Sequence, residues 1–145
     1  EWSDKKYPDK FLPDSYYIQQ IKYLYNYFEK QPMYVYIFTD SPHPKKIVHD
    51  YKKALAVENI QFDCRDENIS YDNLIIEDLF SMASCDYLIR SHSSFSAIAC
   101  IIGNHKIVIE PRALYWDKNT LVVDTATIFY KNGSYAILNY KNNES

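Results

Sequence analysis

The chain has 145 residues, of which 47% are hydrophobic and 24% charged, with a formal net charge of -3. That suits one globular domain with a core of its own and excludes a disordered tail. Interspersed charges of both signs leave no basic block as a nucleic-acid footprint, and no apolar run reaches the roughly 20 residues of a membrane span.

Residues 1–14 are polar, carry Pro8 and Pro13, and read as an irregular lead-in. Asp14 or Ser15 caps a predicted helix in which Tyr17, Ile18, Ile21, Leu24, Tyr25 and Phe28 recur at helical spacing, until Gln31-Pro32 stops it. Residues 34–38, β-branched and aromatic, predict a buried strand that ends in the polar turn Thr39-Asp40-Ser41-Pro42. A helix is expected over 44–58, a short strand over 60–62, a charged loop over 63–70 and a third helix over 71–84. Residues 87–89 read as a strand, 94–102 as a helix stopped by Gly103-Asn104, and 106–109 as a strand closed by Glu110-Pro111. Residues 113–145 read as a small antiparallel appendage, with Asn132-Gly133 as a hairpin turn.

Strands alternate with helices four times, which predicts an α/β, Rossmann-like, three-layer domain. Its expected sheet is mostly parallel, of four or five strands, with a small C-terminal hairpin. Ligands of such sheets bind beyond the carboxyl ends of the strands. Two of those ends are chemically loaded here: 38–41, and the stretch Arg90-Ser91-His92-Ser93-Ser94-Phe95-Ser96.

The only glycines, Gly103 and Gly133, follow no strand where a phosphate-binding turn would lie, so neither a dinucleotide fingerprint nor a P-loop is present. The serine cluster offers another device. First-turn amides lack helical partners, the helix dipole is positive there, hydroxyls add neutral donors, and Arg90 or His92 adds charge. Together these suit a diphosphate. Helix capping by Ser93 or Ser94 is the commoner use of such serines, yet one cap needs one serine. Asp40 by itself starts a turn before Pro42. Asp78 falls on the inner face of its helix, where a carboxylate needs a partner: a Lys, an Arg, or the N–H groups of a guanine edge. His92 is a candidate base, although a histidine at a helix start is more often structural.

Cys64, Cys85 and Cys100 are odd in number and widely spaced, with no CxxC pair for zinc or redox chemistry. They favour a reducing, cytoplasmic setting, with one disulfide and one free thiol as the alternative. The 15 tyrosines fit AT-rich codon usage, or a surface that stacks on sugar rings.

The order of these motifs resembles the C-terminal, donor-binding half of GDP-fucose-dependent fucosyltransferases of the α1,2 and α1,6 types. The matching residues are Ile37-Phe38-Thr39-Asp40, then residues 77–89 with the acidic pair Glu77-Asp78, then Ser91-His92-Ser93-Ser94-Phe95-Ser96, and the strand of Lys106 to Pro111. Residues 13–17 are similar to the family's helix start, so the resemblance covers about residues 11 to 112.

It implies a two-domain GT-B glycosyltransferase in which this chain is the donor half. It also implies an upstream acceptor domain in the same polypeptide, a glycan acceptor, and GDP-fucose or another GDP-sugar as donor. Ser94 with Ser93 would contact the β-phosphate, Asp78 the guanine, and Asp40, His92 and Arg90 would line the pocket. No metal is expected, because the family is generally metal-independent and no DxD motif is present.

Two departures stand out. The family's H-x-R-R-x-D segment is missing, and Ala97-Ile98 replaces the aromatic pair that often follows the serine motif. The isolated chain is therefore expected to show little or no transferase activity. The rival reading is a non-catalytic module that keeps the fold and binds a glycan or a protein. A hydrolase or phosphatase lacks support, since neither a Cys-x5-Arg nor a DxDx(T/V) loop occurs.

Overall fold

The computed structural model describes residues 12–69, 74–132 and 134–141, leaving most of the expected lead-in outside the described residues. The elements in chain order are α1 (Asp14–Tyr27), β1 (Met33–Ile37), α2 (Pro44–Leu55), β2 (Ile60–Cys64), α3 (Ile75–Ser84), β3 (Tyr87–Ile89), α4 (Ser94–Ile102), β4 (Ile107–Asp117), β5 (Thr120–Lys131) and β6 (Ser134–Lys141). The fold is α/β. The chain divides into two compact units, Tyr17–Asp78 on one hand, and Tyr16 with its predecessors plus Leu79 onward on the other.

The Tyr17–Asp78 unit is built on β1 and β2, which pair in parallel from Met33↔Ile60 to Ile37↔Cys64, with α2 as the crossover. Along β2 the exposure alternates: Ile60 and Phe62 are buried while Gln61 and Asp63 face solvent. Tyr51 and Leu55, one helical turn apart on α2, are also buried in this unit. Pro44 opens α2, where its missing N–H costs nothing, and Ala56 closes it in the left-handed region at φ 50°, its N–H donating to the Lys52 carbonyl.

The other unit carries a four-stranded sheet in the order β3-β4-β5-β6. β3 and β4 are parallel, joined through α4, and β4-β5-β6 form an antiparallel meander. Ile107, Val108, Ile109, Val123, Thr125, Ala126, Thr127 and Ile128 are all buried, so β4 and β5 form the centre of the core. Gly103 ends α4 where there is no room for a side chain: a Cβ there would lie 2.6 Å from the Ala83 carbonyl oxygen and 2.8 Å from that of Ala99.

Helices and strands alternate as the sequence predicts, but the single, mostly parallel sheet of four or five strands does not appear among the described residues. The described strands form one parallel pair and one mixed sheet. The expected small hairpin is instead a meander whose strands run 11, 12 and 8 residues. The reason lies at Pro111. A proline reads as a strand terminator, yet here the β4–β5 register shifts between Pro111 and Ala113, so Arg112 is an extra, unpaired residue. A bulge tolerates a residue that cannot donate to the ladder, and the strand continues beyond it. β5 and β6 do pair as neighbours, with Lys131 opposite Ser134 and Asn132 at φ 51°, while the glycine of the expected Asn132-Gly133 turn lies outside the described residues.

Candidate functional site

In the Leu79–Ser145 unit the candidate residues follow β3. The Arg90 backbone is held twice, its N–H donating to the Ile109 carbonyl at 2.9 Å and its carbonyl accepting from the Tyr16 hydroxyl at 3.0 Å. The Arg90 side chain is not free to meet a ligand with its full charge. Its Nη1 pairs with Glu110 Oε2 at 2.9 Å, both side chains about one-sixth exposed, and Glu110 Oε1 takes a second cation, Arg112, at 3.0 Å. Arg90 Nε is buried without a hydrogen-bond partner.

Three of the four serines close on one another. Ser93 is the N-cap of α4, its Oγ accepting from the Ser96 N–H at 3.1 Å. Ser91 Oγ donates to Ser93 Oγ at 3.0 Å, and Ser93 Oγ donates in turn to Ser96 Oγ at 3.1 Å. The buried Ser96 hydroxyl ends the chain on the carbonyls of Ser91 and Ser93. This network satisfies the helix start without a ligand, and it uses the Ser93 proton. Ser94, the first residue of the helix, stays exposed, and so does His92. First-turn N–H groups have no acceptor within a helix. Ser93 Oγ takes that of Ser96, which leaves those of Ser94 and Phe95 beside the Ser94 hydroxyl, at the positive end of the α4 dipole.

In the Tyr17–Asp78 unit, β1 and β2 run parallel, so their carboxyl ends share one edge. Thr39, Asp40 and Ser41 form the expected polar turn beyond β1. Thr39 Oγ1 accepts from the Ser41 N–H at 3.2 Å, Ser41 Oγ accepts from the His43 N–H at 3.1 Å, and Asp40 is exposed.

Arg65, the residue after β2, is the one that sequence reasoning missed by reading 63–70 only as a charged loop. It is buried, and its guanidinium donates to four carbonyls: Thr39 at 3.4 Å, Asp66 at 3.5 Å, Ile69 at 3.2 Å, and Ser41. The signal was available, since a cation directly after a parallel strand lies at the edge where such sheets gather their chemistry.

Asp78, in the first turn of α3, is buried as the helical spacing predicts. Burial pushes its carboxyl up from the usual range, the Arg65 guanidinium draws it back, and Glu77 adds to the rise. Burial also raises the Tyr36 hydroxyl, with the charges of Asp78 and Asp63 adding to it. Asp78, Tyr36 and Arg65 thus form one electrostatic cluster beside the turn that holds Asp40. Among the described residues no group of three or more His, Cys, Asp or Glu is placed to hold a metal ion, and no helix is long and apolar enough to cross a membrane.

Comparison of the chain with known protein families, curated proteins and solved structures finds no match.

Proposed function

We propose that this chain is the donor-nucleotide-binding domain of a fucosyltransferase-like glycosyltransferase, Rossmann-like in plan, that takes GDP-fucose or a related GDP-sugar. In the reaction, the bond between the sugar and the β-phosphate breaks, and the sugar carbon bonds to a hydroxyl oxygen of a glycan acceptor. The diphosphate leaves with the electron pair.

The observation that carries the reading is the start of α4. Capping is completed by Ser91, Ser93 and Ser96, and Ser94 remains exposed beside first-turn amides. A diphosphate oxygen is well served by such a hydroxyl, two N–H groups and a helix dipole. The reading narrows the phosphate contact to Ser94, because Ser93 already donates its proton. It gives Asp78 the guanine edge, as the resemblance implies, since a buried carboxylate is a strong acceptor for paired N–H donors.

The family's arginine segment is absent from this chain, and Arg90 is engaged by Glu110, a carboxylate that it shares with Arg112. Nothing in this reading therefore supplies full positive charge to the departing diphosphate, and the isolated chain binds donor without efficient transfer. The acceptor site belongs to a further domain.

The same ion pair and the closed serine network favour a second reading, a non-catalytic module of the same fold. Titration calorimetry with GDP separates the two. Binding that vanishes in Ser94→Ala and survives in the wild type supports the donor site. No heat at millimolar GDP supports the module.

A further inference from the structure

Glu110 serves two arginines at once. Its Oε2 pairs with Arg90 Nη1 at 2.9 Å and its Oε1 with Arg112 Nη2 at 3.0 Å, so the trio carries one surplus positive charge. Tying the end of β3 to β4 needs only the Arg90 contact. The second cation is there because β4 is bulged: Arg112 is the extra residue between Pro111 and Ala113, with no partner on β5. A bulge re-aims a side chain that regular pairing would send elsewhere. Arg112 is half exposed, whereas Arg90 and Glu110 are mostly buried.

Arg90 also keeps unused capacity. A guanidinium presents Nε–H and Nη2–H side by side, a fork that fits two oxygens of one carboxylate or phosphoryl group. Glu110 takes only Nη1, and among the described residues nothing accepts from Nε or Nη2. Nε is buried, so bulk water does not satisfy it. A buried donor without an acceptor is costly, and a native structure that keeps one has a use for it. The side chain is not sealed, since 17% of it is open.

We infer that Arg112 is a positioning residue for anion binding at Arg90: by sharing Glu110, it leaves the Nε–Nη2 fork of Arg90 charged enough to hold a phosphoryl oxyanion. Glu110 on Arg90 alone would cancel that charge; shared, it cancels only part. Sharing also keeps Glu110 paired when Arg90 tilts toward an anion, so no buried carboxylate is left uncompensated. This role rests on the donor-site reading, in which the diphosphate lies at Ser94, four residues beyond Arg90, and it adds what sets the affinity there.

Titration calorimetry of the full chain with inorganic pyrophosphate provides the test. Arg112→Gln is expected to weaken binding about threefold to fivefold, the scale of a half-exposed ion pair. Glu110→Gln, which keeps the shape and removes the charge, is expected to tighten binding about tenfold. In the Glu110→Gln background, Arg112→Gln should then change affinity by less than about twofold. That last value separates action through Glu110 from a mere loss of positive charge, which would weaken binding equally in both backgrounds. Thermal melts confirm that each variant is folded. An Arg112→Gln effect of the same size in both backgrounds overturns the proposal, and so does a Glu110→Gln variant that binds no tighter than wild type. If Ser94→Ala abolishes binding while neither Glu110→Gln nor Arg112→Gln moves it, the donor site stands and the role of Arg112 falls. No binding in the wild type or in any variant overturns both.

Discussion

Ser93 and Ser96 hold each other at the start of α4, the Ser93 oxygen accepting the Ser96 N–H at 3.1 Å while its proton goes to the Ser96 oxygen, also at 3.1 Å. Ser94, between them in sequence, takes no part. The two roles assigned to this cluster therefore fall on different residues and are separable by mutation. Ser93→Ala removes the cap and breaks the network, with an expected cost of about 1–2 kcal/mol. Ser94→Ala is expected to change stability by no more than about 0.5 kcal/mol, as an exposed substitution away from caps and core, while abolishing GDP binding. Urea denaturation and calorimetry on the same two variants check both halves.

Much of the α/β alternation was readable because helical periodicity is local: α1, α3 and α4 fall where Tyr17–Phe28, Leu74–Met82 and 94–102 place them. Strand partnership is not local. Nothing in the Ile107 to Asp117 segment announces that its first residues pair with β3 in parallel while the strand pairs antiparallel with β5 on both sides of Arg112, and Pro111 argues against the continuation unless the bulge there is foreseen. The site was legible in the same uneven way. Ser94 at a helix start and Asp78 on an inner face follow from spacing. The Glu110 partner of Arg90, 20 residues away, and the four carbonyls around Arg65 are products of tertiary packing.

Gly103 is a packing requirement and not a conformational one, since its φ of -81° suits any residue. A methyl there meets two carbonyl oxygens at 2.6 and 2.8 Å and His105 Nε2 at 2.5 Å. Gly103→Ala is expected to destabilise the protein by about 1–3 kcal/mol, the range for overpacking. His105→Ala in the Gly103→Ala background should recover only part of it, because the Ala83 and Ala99 oxygens belong to backbone and cannot swing aside. Thermal melts of the single and double variants measure the difference.

Ala56 presents the reverse case. It ends α2 at φ 50°, a conformation in which its Cβ is strained and glycine is at ease. Ala56→Gly is expected to stabilise the chain by about 0.5–1 kcal/mol, the relief outweighing the greater freedom of glycine in the unfolded state. A lower denaturation midpoint for the variant would show that the greater freedom of glycine in the unfolded chain, not backbone strain, dominates at this helix end.

Arg65 joins the turn after β1 to the loop after β2 through carbonyls at Thr39, Ser41, Asp66 and Ile69. A planar fork with five donors does this; a lysine ammonium, a single point on a flexible stem, does not. Arg65→Lys is therefore expected to lose most of what Arg65→Ala loses, on the order of 2–4 kcal/mol for a buried, multiply bonded cation. Full recovery of the denaturation midpoint by lysine would mean that charge alone, acting on Asp78, is what the site needs.

That charge also sets the pH behaviour of Asp78. Burial raises its folded pKa above the unfolded value, with Arg65 opposing, so the folded state holds the proton more tightly than the unfolded one. The contribution of Asp78 to stability is then greatest in acid, below the unfolded value near 4, and declines as pH rises through the folded value. Asp78→Asn removes the titration. Relative to wild type, the variant is expected to gain stability between acid and neutral pH, and the gap should widen in Arg65→Ala, where the opposing cation is gone. If the same residue reads guanine, Asp78→Asn also loses discrimination of GDP against ADP, since an amide cannot accept from both guanine N–H donors at once. Denaturation at several pH values, with nucleotide titrations on the same protein, separates the stability effect from the recognition effect.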